Sequence, residues 1–278
     1  MIRYFKQVGR DVDVVQRWIR FRLRASRFNP WRIPLLSPRM FSQKRVIILG
    51  PAATVFDDLS GISVDEFDVV VRLNSGLALK NGNAELGTRT DVLFHNLNED
   101  GPRRAGAIPP QVLVENGVRF CVFPHWGFKG SKTRLYKKQA ELLAYPQVSL
   151  RVLPRPFCEA LRRRLKANQP TVGASAIMFF LCCDLKELQI HGFTFFQTAY
   201  APGYNDAIES GPEAFQWAIA SMVHNPDIER SVIRDALADA REQGANIVLG
   251  KNVSKCLAEG ASGDRIVSVL SGGDQESR

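Results

Sequence analysis

Residues 45–59 read RVIILGPAATVFDDL, and the fold turns on this stretch. An apolar run without polar alternation is what a strand buried on both faces needs, and parallel sheets bury both faces. Gly50 ends the run and lets the backbone turn sharply, and residues 52–59 can open a helix. The segment therefore predicts a central strand entering a ligand-binding turn of an α/β domain. Backbone amides at such a helix start face an anion with the helix dipole behind them, so the turn suits phosphate; it serves equally as a plain structural turn. It is neither G-x-G-x-x-G nor a P-loop with its Lys, which excludes those dinucleotide and ATP readings on residue type.

Short apolar runs recur at 68–73 (DVVVRL), 91–95 (DVLFH), 118–123 (VRFCVF), 148–153, 188–193 (LQIHGF) and 246–249. Helical patterns lie between several of them, at 133–143, 157–167, 174–184, 213–223 and 226–242. Strands alternating with helices predict one α/β domain, a mostly parallel sheet flanked by helices, over residues 43–252. A basic amphipathic arm and linker, 1–42, precedes it, and a C-terminal tail, 253–278, follows, its final stretch SGGDQESR polar and Gly-rich.

The chain has 278 residues, 45% hydrophobic and 23% charged, enough to bury a large core. Its 37 Lys and Arg outnumber 28 Asp and Glu, a net charge of +9 that favours anionic partners. Much of the excess sits in residues 1–45, where twelve Lys and Arg face only Asp11 and Asp13. Within 11–27, Val14, Val15, Trp18 and Ile19 recur at helical spacing with Arg17, Arg20 and Arg24 elsewhere on the wheel. That reads as a membrane-surface helix, or as a helix packed on the domain with its arginines in water. Residues 28–40 (FNPWRIPLLSPRM) hold three prolines and read as a linker or an extended arm wrapped on the body. No window approaches the length of a membrane-spanning helix. Five cysteines without a C-x-x-C pair point away from zinc sites and disulfide frameworks, and a reducing cytoplasm is the expected location.

Three further segments can carry chemistry. Asn74, in VRLN, ends a predicted parallel strand where α/β proteins bind ligands, and its amide can both donate and accept. Arg72 could balance a phosphate or serve as a structural ion-pair partner. In QPTVGASA, 169–176, Pro170, Thr171 and Gly173 form a rigid helix entry suited to a carboxylate or phosphate, with Thr171 equally an N-cap. In VHNPDIERSV, 223–232, Pro226 starts a helix, leaving His224 in the preceding turn and Glu229 within the helix. Neutral histidine is the side chain suited to accept a proton near pH 7. Taken alone, each of His95, His125, His191 and His224 reads as structural, and His191 as a satisfied core residue.

In order and spacing these segments resemble the eukaryotic-type sialyltransferases, glycosyltransferase family twenty-nine. The large motif looks like RVIILGPAATVFDDL through DVVVRLNSG to ELGTRTD, the small motif like QPTVGASAIMFFLCCDLKELQIHGF, and the very small motif like HNPDIE. The resemblance implies a modified GT-A type, Rossmann-like fold. It also implies an inverting, metal-independent transfer of sialic acid from CMP-sialic acid to a sugar hydroxyl, with no cofactor beyond the donor. Carried over by motif, His224 is the general base, supported by Glu229. Donor-nucleotide contacts fall at Gly50, Pro51, Ala52, Asn74, Thr171, Gly173 and Gly192.

Departures accompany the likeness. Pro51 and Ala52 follow Gly50 where the family has Gly-Asn-Ser or Gly-Asn-Gly. Val172 replaces the small motif's second hydroxyl residue. The His of a His-Tyr pair between the small and very small motifs is absent, leaving Tyr200 or Tyr204 as substitutes. Of the family's disulfide pair only Cys183 has a match. The basic segment stands where Golgi members carry a membrane anchor, so the expected setting is the cytoplasmic face of an inner membrane, with a lipid-linked or other glycan acceptor. Transfer of Kdo or another nonulosonic acid from its CMP derivative is the nearest alternative. A nucleic-acid-binding protein, which the basic charge alone suggests, is not expected, because no helix-turn-helix, RNA-recognition or zinc pattern accompanies it. A non-catalytic member of the fold is the third reading.

Overall fold

The computed structural model describes residues 33–79, 83–101, 104–125 and 131–258. The amphipathic segment at 11–27 and residues 259–278 of the expected tail lie outside them. All seven predicted strands are present: β1 Arg45–Leu49, β2 Val69–Leu73, β3 Val92–Phe94, β4 Phe120–Phe123, β5 Ser149–Val152, β6 Glu187–His191 and β7 Ile247–Leu249. They form one sheet in the order β5-β4-β3-β2-β1-β6-β7, and every pairing is parallel. The helices are α1 Val55–Asp58, α2 Gly76–Leu79, α3 Pro110–Glu115, α4 Ser131–Leu142, α5 Arg155–Arg164, α6 Val172–Leu181, α7 Gly211–Ile219 and α8 Pro226–Glu242.

Strand periodicity accounts for the layers. Val46 and Ile48 face one side of the sheet and join Val172, Ile177, Phe179, Phe180, Ile233 and Leu237 of α6 and α8. Ile47 and Leu49 face the other side, with Val55 and Leu59 around α1 and Leu79 of α2, while α3 and α4 cover β3 to β5 through Leu113, Leu135 and Leu142. Both faces are thus covered, which is why β1 carries no polar alternation. Ile47 and Ile48 are fully buried, and each such side chain stabilises the fold by about 1.5–3 kcal/mol.

The body extends beyond the expected boundaries at both ends. Leu36 and Phe41 sit in the core, Leu36 N–H donates to the Val152 carbonyl at 2.9 Å, and Phe41 packs edge-on against Phe120, Phe179 and Phe180. Among the described residues the proline-rich segment is therefore an arm wrapped on the body. At the other end, residues 251–258 are helical and bury Val253 and Leu257, apolar residues within the stretch expected to be a tail. The helix expected over 213–223 stops at Ile219, because Met222 adopts a left-handed φ of 55° and the chain turns.

The strand order reverses direction between β1 and β6. In parallel α/β sheets such a switch opens a crevice beyond the carboxyl ends of the strands, where the two connections leave toward opposite sides. The two turns at this point fit closely: Gly50 N–H donates to the His191 carbonyl at 2.8 Å, and Ala52 N–H to the Gly192 carbonyl at 3.0 Å.

Candidate active site

A cleft of about 1080 Å³, counting its open mouth, lies over this switch point. The strand ends supply its floor: Pro51 and Ala52 after β1, Asn74 after β2, Asn96 after β3, His125 after β4, and Gly192 and Phe193 after β6. Thr171, Gly173, Tyr200, Tyr204, His224 and Glu229 complete the gathering of the predicted site residues. Gly50 is the exception. It lies beneath the cleft, where an added Cβ would stand 2.2 Å from the Gly192 carbonyl oxygen, so its role is to let two turns approach.

The segment after β6 is drawn back over the β1 turn. Ala53 N–H donates to the Ala199 carbonyl at 3.0 Å, and Ala201 N–H to the Pro51 carbonyl at 2.8 Å. This places the Tyr200 and Tyr204 rings side by side, with centroids 5.1 Å apart. Burial raises both phenol pKa values, that of Tyr204 to about 12 against the opposing hydrogen bond of the Asn74 side chain. Asn74 itself holds a left-handed φ of 47°, which asparagine tolerates, and its Oδ1 accepts from Asn96 N–H at 3.2 Å. Phe195 and Phe196, at φ 51° and 65°, carry a conformation unusual for aromatic residues into the cleft wall.

Thr171 caps α6, its Oγ1 accepting from Ala174 N–H at 3.0 Å, as the N-cap reading expects. The positive end of the ten-residue helix therefore meets the cleft. Glu229 does not reach across to support the histidine directly. Its carboxylate accepts from Thr171 Oγ1 at 2.6 Å and from Thr171 N–H at 2.8 Å, fastening the cap to α8. Its burial pushes the carboxyl pKa up to about 7, the two Thr171 bonds opposing. Gly173 packs against Phe193, where an added Cβ would approach the ring edge to 2.8 Å.

His224 is held by backbone. Its Nδ1 lies 2.7 Å from the Gln169 carbonyl oxygen, which can only accept, so Nδ1 carries the proton and Nε2 of the neutral ring keeps its lone pair. The side chain of the same Gln169 places its Nε2 3.0 Å from Nδ1 of His125, making that nitrogen the acceptor. Burial, with His224 and Arg134 nearby, pushes His125 down to about 3, so it is neutral and bears its proton on Nε2. Read as structural from the sequence, His125 lines the cleft. The rule that singled out Asn74, a polar residue just past a parallel strand, applies equally to His125 and Asn96. Arg104 adds a cationic side chain to the wall.

The other candidates serve the scaffold. Arg72 is buried, donates from Nε to Thr90 Oγ1 at 2.9 Å and to the Leu86 carbonyl, and so pins the loop after α2. His95 is buried between the Ala105 and Gly106 carbonyls, and burial takes its pKa down to about 4. His191 departs from the expected satisfied core residue: Nε2 meets Gln189 Oε1 at 3.0 Å, but Nδ1 is buried without a hydrogen-bond partner. Asp58, absent from the expected set, accepts from Gly192 N–H at 2.9 Å and from Asn252 N–H and Nδ2 at 2.8 and 3.0 Å, locking the Gly192 turn. All five cysteines are free. Among the described residues no group of three or more His, Cys, Asp or Glu side chains is placed to hold a metal, and no helix is long and apolar enough to cross a membrane.

No family model matches the chain. A type 2 lactosamine alpha-2,3-sialyltransferase of Mus musculus is 27% identical over 171 residues. In sequence the chain is similar to a sialyltransferase. The match covers 55% of this chain and 50% of the mouse enzyme, so the chain spans about half the length of that relative. Among solved structures, a mammalian sialyltransferase in complex with Gal-beta-1-3GalNAc-ortho-nitrophenol is 18% identical, with 86% of this chain and 85% of that one covered and a TM-score of 0.45. The sialyltransferase CstII of Campylobacter jejuni, in complex with cytidine-5'-monophosphate, is 14% identical over 76% of this chain and 87% of that one, with a TM-score of 0.44.

Proposed function

We propose that the protein is an inverting sialyltransferase that moves sialic acid from CMP-sialic acid to a glycan hydroxyl. The observation that carries this reading is the convergence of three ordered motifs, distant in sequence, on one cleft at the switch point, with a histidine there held in the tautomer a base requires. The acceptor oxygen bonds to the anomeric carbon as that carbon's bond to the CMP phosphate oxygen breaks. The acceptor proton passes to His224 Nε2, and CMP leaves with the bonding electron pair. Negative charge grows on the phosphate, toward the N-terminus of α6, the Tyr200 and Tyr204 hydroxyls and Arg104. Asn74, with Pro51, Ala52 and Gly192, forms the cradle assigned to the nucleotide. The reading gives the protein no cofactor other than its donor.

The finer placement belongs to the same proposal. The basic segment of the arm, ahead of the residues that pack on the body, holds the enzyme on an anionic, inner membrane surface, where the acceptor is lipid-linked; the arginine spacing of 11–27 supports this. Deleting residues 1–32, which leaves the core residue Leu36 in place, is expected to weaken liposome binding.

Calorimetric titration with CMP, against CDP, UDP and a short DNA duplex, tests the nucleotide assignment. Selective binding of CMP is expected; salt-sensitive binding of DNA without CMP binding would overturn it.

A further inference from the structure

The turn between α7 and α8 presents an apolar tip to solvent beside the mouth of the cleft. Met222 is 91% exposed, Val223 40% and Ile219 36%. The left-handed φ of Met222 projects this tip from a helix end instead of folding it into the core. Hydration of so exposed an apolar side chain is unfavourable, and the described residues leave it in solvent.

The segment to which the tip is joined is cationic. Gln169 N–H donates to the Val223 carbonyl at 2.8 Å, joining the turn to the segment that ends α5. There Arg163, Arg164 and Lys166 are exposed, and Arg162 donates from Nε to the Ala167 carbonyl at 3.3 Å. The nearby acid at the start of α8, Asp227, is paired with Arg230 at 3.1 Å. Apolar side chains projecting from a cationic surround match a bilayer interface, where the former enter the acyl boundary and the latter meet anionic head groups.

We infer that Ile219, Met222 and Val223, with Arg163, Arg164 and Lys166, form a docking surface for a bilayer containing anionic lipid. The same joint carries His224, whose Nδ1 bonds the Gln169 carbonyl, so docking here turns the mouth of the cleft toward the membrane. A head group standing in the bilayer then meets the base without leaving it. The docking itself is independent of the transferase assignment; the presentation of an acceptor rests on it.

The test uses the full chain and vesicles of phosphatidylcholine with or without phosphatidylglycerol. Wild type is expected to float with the anionic vesicles, and the combined variant Met222→Asp, Arg163→Glu, Arg164→Glu to bind them about tenfold more weakly or worse. Met222→Trp is expected to add emission that brominated lipid quenches. Unchanged vesicle affinity in the combined variant, or unquenched emission from Met222→Trp, overturns the inference. CMP affinity measured on the same proteins reports the transferase reading separately, and retained CMP binding or an unchanged melting temperature shows that the combined variant is folded.

Discussion

The carbonyl oxygen of Gln169 lies 2.7 Å from Nδ1 of His224, and the side chain of Gln169 lies 3.0 Å from Nδ1 of His125. One residue therefore sets the protonation pattern of two imidazoles that line the cleft. Because the contact to His224 uses main chain, substitution of Gln169 leaves it in place. The contact to His125 uses the side-chain amide and is open to mutation. Gln169→Glu replaces a donor by an acceptor facing the His125 ring. The His125 pKa is expected to rise from about 3 toward the ordinary histidine range, read by NMR titration of the imidazole carbons. An unmoved titration would contradict the arrangement.

Glu229 supplies a pH dependence. Its folded pKa, about 7, lies above the unfolded value near 4.5, so the folded state holds the proton more tightly. This contribution is fully present below about pH 4.5 and is lost as pH rises to and past 7. A shift of that size corresponds to about 3 kcal/mol. Glu229→Gln keeps an acceptor for Thr171 N–H and a donor for Thr171 Oγ1 while removing the charge. The melting temperature of the variant relative to wild type is expected to rise steadily between pH 5 and 8. A difference that stays flat across this range would show that Glu229 is ionised throughout.

Asn74 combines a left-handed backbone with a side chain at the strand end. Asn74→Gly keeps the first and removes the second, so the cost to folding is limited to the side-chain bonds with Asn96 and Tyr204, about 1–3 kcal/mol. CMP affinity in calorimetry is expected to fall by roughly tenfold to a hundredfold, the scale of one or two lost hydrogen bonds to a ligand. Affinity equal to wild type would place the nucleotide elsewhere.

Gly50→Ala tests the fit of the two turns. The added Cβ would sit 2.2 Å from the Gly192 carbonyl oxygen and 2.8 Å from the Phe193 ring, and the first of these is backbone that cannot swing away. A destabilisation of about 1–3 kcal/mol or more is expected by chemical denaturation. Gly61→Ala meets no atom within 4 Å but carries a φ of 76°, so it measures backbone strain without the clash.

Much of the fold was legible because it rests on local signals. The central strands β1 to β4 are short apolar runs, and a mostly parallel sheet follows from runs with no alternation, as at 46–49, although β5 and β6 alternate polar and apolar residues. The ends were less legible for a physical reason. Leu36 and Val253 lie in polar or proline-rich company, and only their tertiary partners make them core. At the site, residues on known motifs were found, whereas His125, Asn96 and Arg104 belong to none of those motifs and meet the others only through the strand order. Glu229 is legible as a supporting residue, but the group it bonds is not: the fold turns its carboxylate toward Thr171, 58 positions away. His191 shows the opposite limit, since burial could be read from its strand but not the want of a partner at Nδ1.

The central claim is that His224 Nε2 takes the acceptor proton in a transfer from a CMP-linked sialic acid. Its most direct test is the rate of CMP release from CMP-sialic acid in the presence of a mixture of glycan acceptors, for wild type and His224→Ala, with CMP affinity measured on both. Turnover is expected to fall by about a hundredfold to ten-thousandfold in the variant while its affinity for CMP stays close to wild type. Equal turnover in the two proteins, or no turnover in wild type that binds CMP, would contradict the account.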